Sequence, residues 1–231
     1  TAQKQFSASA AHELRTPLAV MQTNLEVFSR KKEPSADEYQ KLFSMIQEQT
    51  GRLSHLAEIL LDMTGIQSVE RSDFISLAEL TDEVCCDLAS IADQKKVELI
   101  QEEGDCTVTG SYLLLYRAVY NLVENAIKYN HSGGKVTVKI SQKKDLPAAH
   151  SKPTDYALVE VTDTGIGISP EFQEKIFDPF FRVDKSRSRA MGGAGLGLAL
   201  VNEIARQHGG QVKVLASSEK GSTIALILPL S

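Results

Sequence analysis

Two apolar seams in the first third of the chain constrain its fold most. Leu14, Leu18, Met21, Leu25 and Phe28 step by four, three, four and three residues, the spacing of a heptad seam along one helix face. Lys31-Lys32-Glu33-Pro34 ends that helix near Arg30, because cations suit a helix C-terminus and proline cannot continue it. Ser35-Ala-Asp-Glu38 has the form of a capping box that opens a second helix. The seam of this helix is Tyr39, Leu42, Ile46, Gln49, Leu53, Leu56, Leu60 and Met63, with Gln49 as its polar interruption. Two long helices joined by a short connection make an antiparallel hairpin. Each seam is too apolar for one partner helix to cover, so two copies are expected to pair as a four-helix bundle, giving a homodimer. The alternative is that the hairpin packs on the C-terminal part of its own chain.

On the first helix His12 falls one residue past the seam and is expected to face solvent. Thr16, one turn further on, shares that face. Glu13 adjoins the histidine and can accept a proton or orient the ring. Pro17 lies inside the helix, where it cannot donate to the carbonyl of Glu13 and loosens the turn. An imidazole beside a carboxylate on a deformable, exposed turn suits a nucleophile. Taken alone, the same residues also describe a surface histidine on an ordinary coiled coil.

The polar, period-free stretch Gly65–Asp73 divides the chain, and the pattern then changes. Short strands are expected at 74–77, 97–102 and 106–109, and longer alternating ones at 135–141, 156–163, 211–216 and 223–228. Helices are expected at 78–93, 111–129 and 196–207. The helices follow no regular βαβ rhythm, which argues for an α+β chain: a helical hairpin over 1–66, then over 73–231 a two-layer α/β sandwich with helices on one face of a mixed sheet. The polar connection 143–154, with its two prolines, reads as a long hairpin loop. Charge is balanced at 25 Lys and Arg against 30 Asp and Glu, leaving no basic footprint for nucleic acid. Cys85, Cys86 and Cys106 have neither metal spacing nor a disulfide framework, as in a reducing, cytoplasmic setting. No apolar run reaches the ~18–20 residues that span a bilayer. Membrane attachment is therefore expected only through a segment not present in this chain.

Three stretches of the second part suit a phosphate-bearing ligand. Asn121, Asn125 and Lys128 stand four and three residues apart, on one helix face, where two carboxamides and an ammonium could hold a hydrated Mg²⁺ and its phosphates. Alone, such a stripe is also what a solvated helix face looks like. Asp163-Thr-Gly165-Ile-Gly167 follows a strand; its glycines allow close backbone approach, and its aspartate can accept a hydrogen bond from an exocyclic amine such as adenine's. A plain tight turn would read the same. Gly192-Gly193-Ala-Gly195-Leu-Gly197 runs into a helix, whose free amides suit an anion. It is neither a Walker A loop nor a Rossmann fingerprint. Before it, 182–191 is basic and poor in large apolar groups, like a lid over phosphates, with Phe177, Phe180 and Phe181 as its anchor or as plain core.

In this order, the His12-Glu-Leu-Arg-Thr-Pro-Leu18 turn, the asparagine helix, the two glycine boxes and the phenylalanine segment resemble a sensor histidine kinase of a two-component system. The resemblance spans essentially the whole chain. It implies a dimerisation and phosphoacceptor domain followed by an ATP-binding domain of the gyrase, chaperone and histidine-kinase superfamily. By that resemblance His12 is the phosphoacceptor, Glu13 the acid that assists it, and Thr16 the residue that orients water when the protein dephosphorylates its partner. Asn125 is the Mg²⁺ ligand, with Asn121 and Lys128 as neighbouring phosphate and metal contacts and Tyr129 near the nucleotide. Asp163, beside Gly165 and Gly167, reads adenine; Gly193, Gly195 and Gly197 are the lid glycines; Thr223 is a hydroxyl near adenine. ATP and Mg²⁺ are implied, as are a homodimer and the receiver domain of a response regulator. ATP-hydrolysing relatives carry a glutamate four residues before the metal asparagine. Asn121 stands there instead, and Glu124 lies about 100° round the helix. ATP is thus expected to be held for transfer rather than hydrolysed. The departures are small: Ala11 leaves no polar side chain before the histidine, and the 143–154 connection is long. The competing classes are a conformational ATPase on the same nucleotide fold and a non-catalytic dimeric scaffold.

Overall fold

The computed structural model describes residues 2–66, 69–143, 155–183 and 194–230. Gly193, most of the expected lid (184–191), the connection 144–154 and the side chain of Met63 lie outside the described residues. Helices α1 (Ala2–Ser29) and α2 (Ala36–Gly65) form the hairpin. Its capping box is made as expected. The Ser35 amide donates to Glu38 at 2.9 Å and the Glu38 amide to the Ser35 hydroxyl at 3.3 Å, satisfying two N-terminal donors of α2. Phe28 meets Tyr39 edge to face beside the connection that joins the two helices, with ring centroids 4.9 Å apart.

The seams are covered unevenly. Leu18 and Leu25 of α1 remain 47% and 46% exposed. On α2, Phe43 and Leu61, which flank the seam, are 65% and 70% exposed. Gln49 is buried, and Leu56 and Ile59 join the core of the C-terminal part. One side of the lower half of α2 thus packs on its own chain, while Leu18, Leu25, Phe43 and Leu61 leave apolar surface open. Among the described residues no helix is long and apolar enough to cross a membrane.

Beyond the hairpin come β1 (Asp73–Ser76), α3 (Leu77–Lys95), β2 (Glu98–Gln101), β3 (Thr107–Gly110), α4 (Tyr112–Lys128), β4 (Lys135–Lys143) and β5 (Tyr156–Asp163). After two single-turn 3-10 helices follow α5 (Gly197–Gln207), β6 (Gln211–Ser218) and β7 (Gly221–Pro229). The main sheet has the order β2-β4-β5-β7-β6. Its β2–β4 pair is parallel and the rest antiparallel, while β1 and β3 pair separately. The expected mixed sheet with helices layered on it is what is seen. Period-2 burial fixes the registers: Val136, Val138 and Ile140 of β4 and Ala157, Val159 and Val161 of β5 point into the core. Leu77, Leu80, Val84, Leu88 and Ala92 form the buried stripe of α3, at helical spacing. Ser76 caps its start by accepting from the Glu79 amide, and Lys96, left-handed at φ 57°, ends it.

His208 ties the C-terminus of α5 to the start of α4. It is 9% exposed; Nε2 accepts from the Ser111 amide at 3.1 Å, and Nδ1 lies 2.8 Å from the Ile204 carbonyl. That pair of partners requires the neutral ring with its proton on Nδ1. Burial holds its pKa below the usual histidine value, with Arg71 adding to the effect. A lowered histidine pKa means that the unfolded chain takes up a proton first. The contribution is therefore complete above the ordinary value of ~6.5 and is lost as the pH falls below it. His208→Gln is expected to shrink the drop in melting temperature between pH 7.5 and 5.5, measured by circular dichroism; an unchanged drop would remove this role.

Candidate active site

One face of α4 lies on the sheet through Leu115, Ala118, Val119, Leu122, Val123 and Ile127. Its other side opens on a cleft of about 440 Å³, within the ~300–1,000 Å³ usual for small-molecule sites. Asn121, Asn125, Lys128 and Tyr129 line one wall. Asp163 and Gly167 line a second, Gly195 and Gly197 a third. Asn121 donates to the Arg117 carbonyl at 2.8 Å, which leaves its Oδ1 turned to α5. A Cβ added at Gly197 would stand 2.6 Å from that oxygen and 3.6 Å from Nδ2 of Asn125. The absent side chain lets the N-terminus of α5 close directly on both carboxamides. Carboxamide oxygens, helix amides and an ammonium fit a hydrated Mg²⁺ with its phosphates. Among the described residues no cluster of three His, Cys, Asp or Glu side chains competes as a metal site.

Asp163 ends β5 at the far side of the cleft. Burial raises its pKa, and backbone hydrogen bonds from Gly165 and Ser222 work against that rise. The Gly165 amide donates to its Oδ1 at 2.7 Å. Only glycine fits at 165, because a Cβ would lie 2.5 Å from the Tyr129 carbonyl. Lys128, 6.0 Å from the Tyr129 ring centroid, is held below the usual lysine value first by burial and then by nearby cations, with Glu124 opposing.

The phenylalanine segment closes the third wall. Phe180 adopts a left-handed φ of 63°, and its amide donates to the Gly195 carbonyl at 2.8 Å. Phe177 and Phe180 pack on the core, whereas Phe181 faces the cleft. Arg182 follows, its side chain only 6% exposed, and reaches Glu13 Oε2 of α1 at 3.8 Å. That ion pair joins the cleft to the His12 turn. His12 itself is exposed beside a shallow groove shared with Arg15, Thr16 and Val20. The Thr16 hydroxyl donates to the His12 carbonyl at 3.1 Å.

Known proteins decide the family. Residues 2–68 match the His Kinase A (phospho-acceptor) domain, and 110–231 match the histidine kinase-, DNA gyrase B- and HSP90-like ATPase domain. This chain belongs to the sensor histidine kinase family. Sensor histidine kinase RppB of Synechocystis is 33% identical over 99% of the chain and 49% of its own length. The chain spans about half the length of curated relatives such as RppB and SenX3. Two solved histidine kinases share the fold. ThkA, in complex with response regulator protein TrrA, gives a TM-score of 0.72 at 23% identity, over 98% of this chain and 61% of that one. Full-length ShkA, in complex with AMPPNP, gives 0.67 at 23% identity over 99% and 46%.

In this histidine kinase chain one expected residue is misplaced. Thr223 does not line the cleft; its hydroxyl lies 3.0 Å from that of Thr162 on the other sheet face. The hydroxyl that β7 turns to the cleft is that of Ser222, 5% exposed and paired with Asp163 across the strands. Alternation carried the signal, because Ile224, Leu226 and Leu228 have the parity of Ser222. Ile59, from α2, also lines the cleft, and only the hairpin's docking brings it there. Gly167 gives the sharpest test of the second wall. Its φ is +69°, and a Cβ would lie 1.8 Å from the Ser218 carbonyl. Gly167→Ala is expected to cost about 3 kcal/mol in urea unfolding. Gly133→Ala, at φ +80° with nothing within 4 Å, should cost only about 1 kcal/mol. Equal losses would show that the clash is relieved.

Proposed function

We propose that this chain is the catalytic portion of a sensor histidine kinase, in which 73–231 binds Mg·ATP and phosphorylates His12 of the hairpin 1–66. The observation that carries this is the Glu13–Arg182 pair, which couples the His12 turn to the lip of the cleft. The imidazole attacks the γ-phosphorus in line; a N–P bond forms as the P–O bond to ADP breaks. Glu13, next to His12, favours the reactive tautomer. Asn125 would hold the metal, with Asn121 beside it and Lys128 on the phosphates, and Mg²⁺ would supply charge neutralisation there. Asp163 and Ser222 read the adenine end, with Gly165, Gly167, Gly195 and Gly197 keeping the backbone close and Gly193 belonging to the lid. The phosphoryl group then passes to an aspartate of a response regulator, a partner suggested by the complex of ThkA with TrrA. ATP is suggested likewise by the AMPPNP complex of ShkA. Thr16 supports dephosphorylation of that regulator. The reaction belongs on the cytoplasmic side, where ATP is available.

Incubation with Mg·ATP and intact mass at neutral pH test the reading. A gain of one phosphoryl group, lost in acid, kept in base and absent from His12→Gln, is expected. Steady ATP turnover with no gain in mass would favour a conformational ATPase instead. Thr16→Ala should keep labelling while slowing regulator dephosphorylation by about tenfold or more; equal rates would remove its role. We also infer a homodimer through the open face around Leu18, Leu25, Phe43 and Leu61. Leu25→Glu with Phe43→Glu should shift the mass in light scattering from dimer towards monomer and spare nucleotide binding. An unchanged mass would place the dimer contact elsewhere.

A further inference from the structure

The second hairpin helix turns a particular face to the cleft. Arg52, Leu56 and Ile59 recur four and three residues apart and so share it. Leu56 and Ile59 are buried in the same cluster as α4, and Ile59 lines the cleft itself. Arg52 stands one turn back along that face, its side chain 29% exposed, with Nη2 2.5 Å from Glu48 Oε1.

Arg52 lies near enough to Lys128, which lines the cleft, to act on its ammonium. Lys95, Arg182 and Arg52 are the cations that press the Lys128 ammonium towards its neutral form. Four cations thus gather around the Lys128 end of the cleft, of which Lys128 and Arg182 line it directly. Two already have duties: Lys95 donates to the Lys128 carbonyl at 3.0 Å, and Arg182 pairs with Glu13. The carboxylates facing the group are Glu13, Glu48 and Glu124. Glu48 is 57% exposed, so its hold on Arg52 is a solvated pair of small worth. A polyphosphate is a stronger partner for a guanidinium, offering fork-like, charge-assisted hydrogen bonds.

We propose that Arg52 is a phosphate-binding residue, which the hairpin's second helix supplies to the phosphate end of the nucleotide cleft. It exchanges Glu48 for the terminal phosphates when the triphosphate enters. The hairpin then does more than present the acceptor histidine: it takes part in telling a triphosphate from a diphosphate. This rests on the reading of the cleft as an ATP site.

The test uses the full chain in a His12→Gln background, so that nothing turns over, with Mg·ATP, Mg·ADP and adenosine titrated by calorimetry. Arg52→Gln is expected to weaken Mg·ATP about tenfold, Mg·ADP by clearly less, and adenosine not at all; Arg52→Lys should recover part of the loss. An unchanged ratio of ATP to ADP affinity overturns the proposal. An equal loss for all three ligands also overturns it, because that is what a purely structural role would give. If the His12→Gln chain with Arg52 intact binds no Mg·ATP, the ATP reading fails and takes this inference with it.

Discussion

The burial of one face of α4 is the constraint on which the rest depends. Leu115, Ala118, Val119, Val123 and Ile127 are fully excluded from water, at about 25 cal/mol for each Å² of apolar surface removed. That burial allows the helix only one rotation about its axis. Asn121 and Asn125 sit at the margin of the buried face, so the same rotation aims them along the cleft. The polar stripe is held in place by hydrophobic burial, not by its own hydrogen bonds. Close approach by α5 then becomes a matter of side-chain size, and at Gly197 only a hydrogen fits.

Much of this was legible in the sequence, because two periodicities carry it. Alternation in β4 and β5 and the spacing of α3 and α4 follow directly from which residues avoid water. The capping box over Ser35–Glu38 was equally local. Resemblance alone points to Thr223, whereas the alternation of the apolar residues further along β7 puts its neighbour Ser222 on the cleft face. Ile59, Arg52 and the contact of Arg182 with Glu13 could not be read off the chain. They depend on how the hairpin meets the α/β part, and no local pattern encodes that meeting. Phe180 is a further case, since a left-handed phenylalanine has no sequence signature and exists here because Gly195 accepts its amide.

The two hairpin seams divide their labour. Leu56 and Ile59 serve the α/β part, while Leu18 and Leu25 face outward. One pair of helices therefore carries an inward and an outward apolar surface, and α1 bears the His12 turn beside both. Pro17, which cannot donate to the carbonyl of Glu13, weakens the helix ladder at that same turn. The Thr16 hydroxyl, meanwhile, is engaged by the carbonyl of His12.

The place of β7 in the sheet has a consequence for the order of synthesis. Strand 221–229 lies between β5 and β6 and brings Ser222 to the cleft. A chain emerging from the ribosome has its hairpin long before it has this strand, and N-terminal parts fold first. The two hairpin helices thus exist while the sheet still lacks its inner strand. The apolar face left open on the hairpin is thus made before the cleft is complete, and the cleft is among the last parts of the molecule to form.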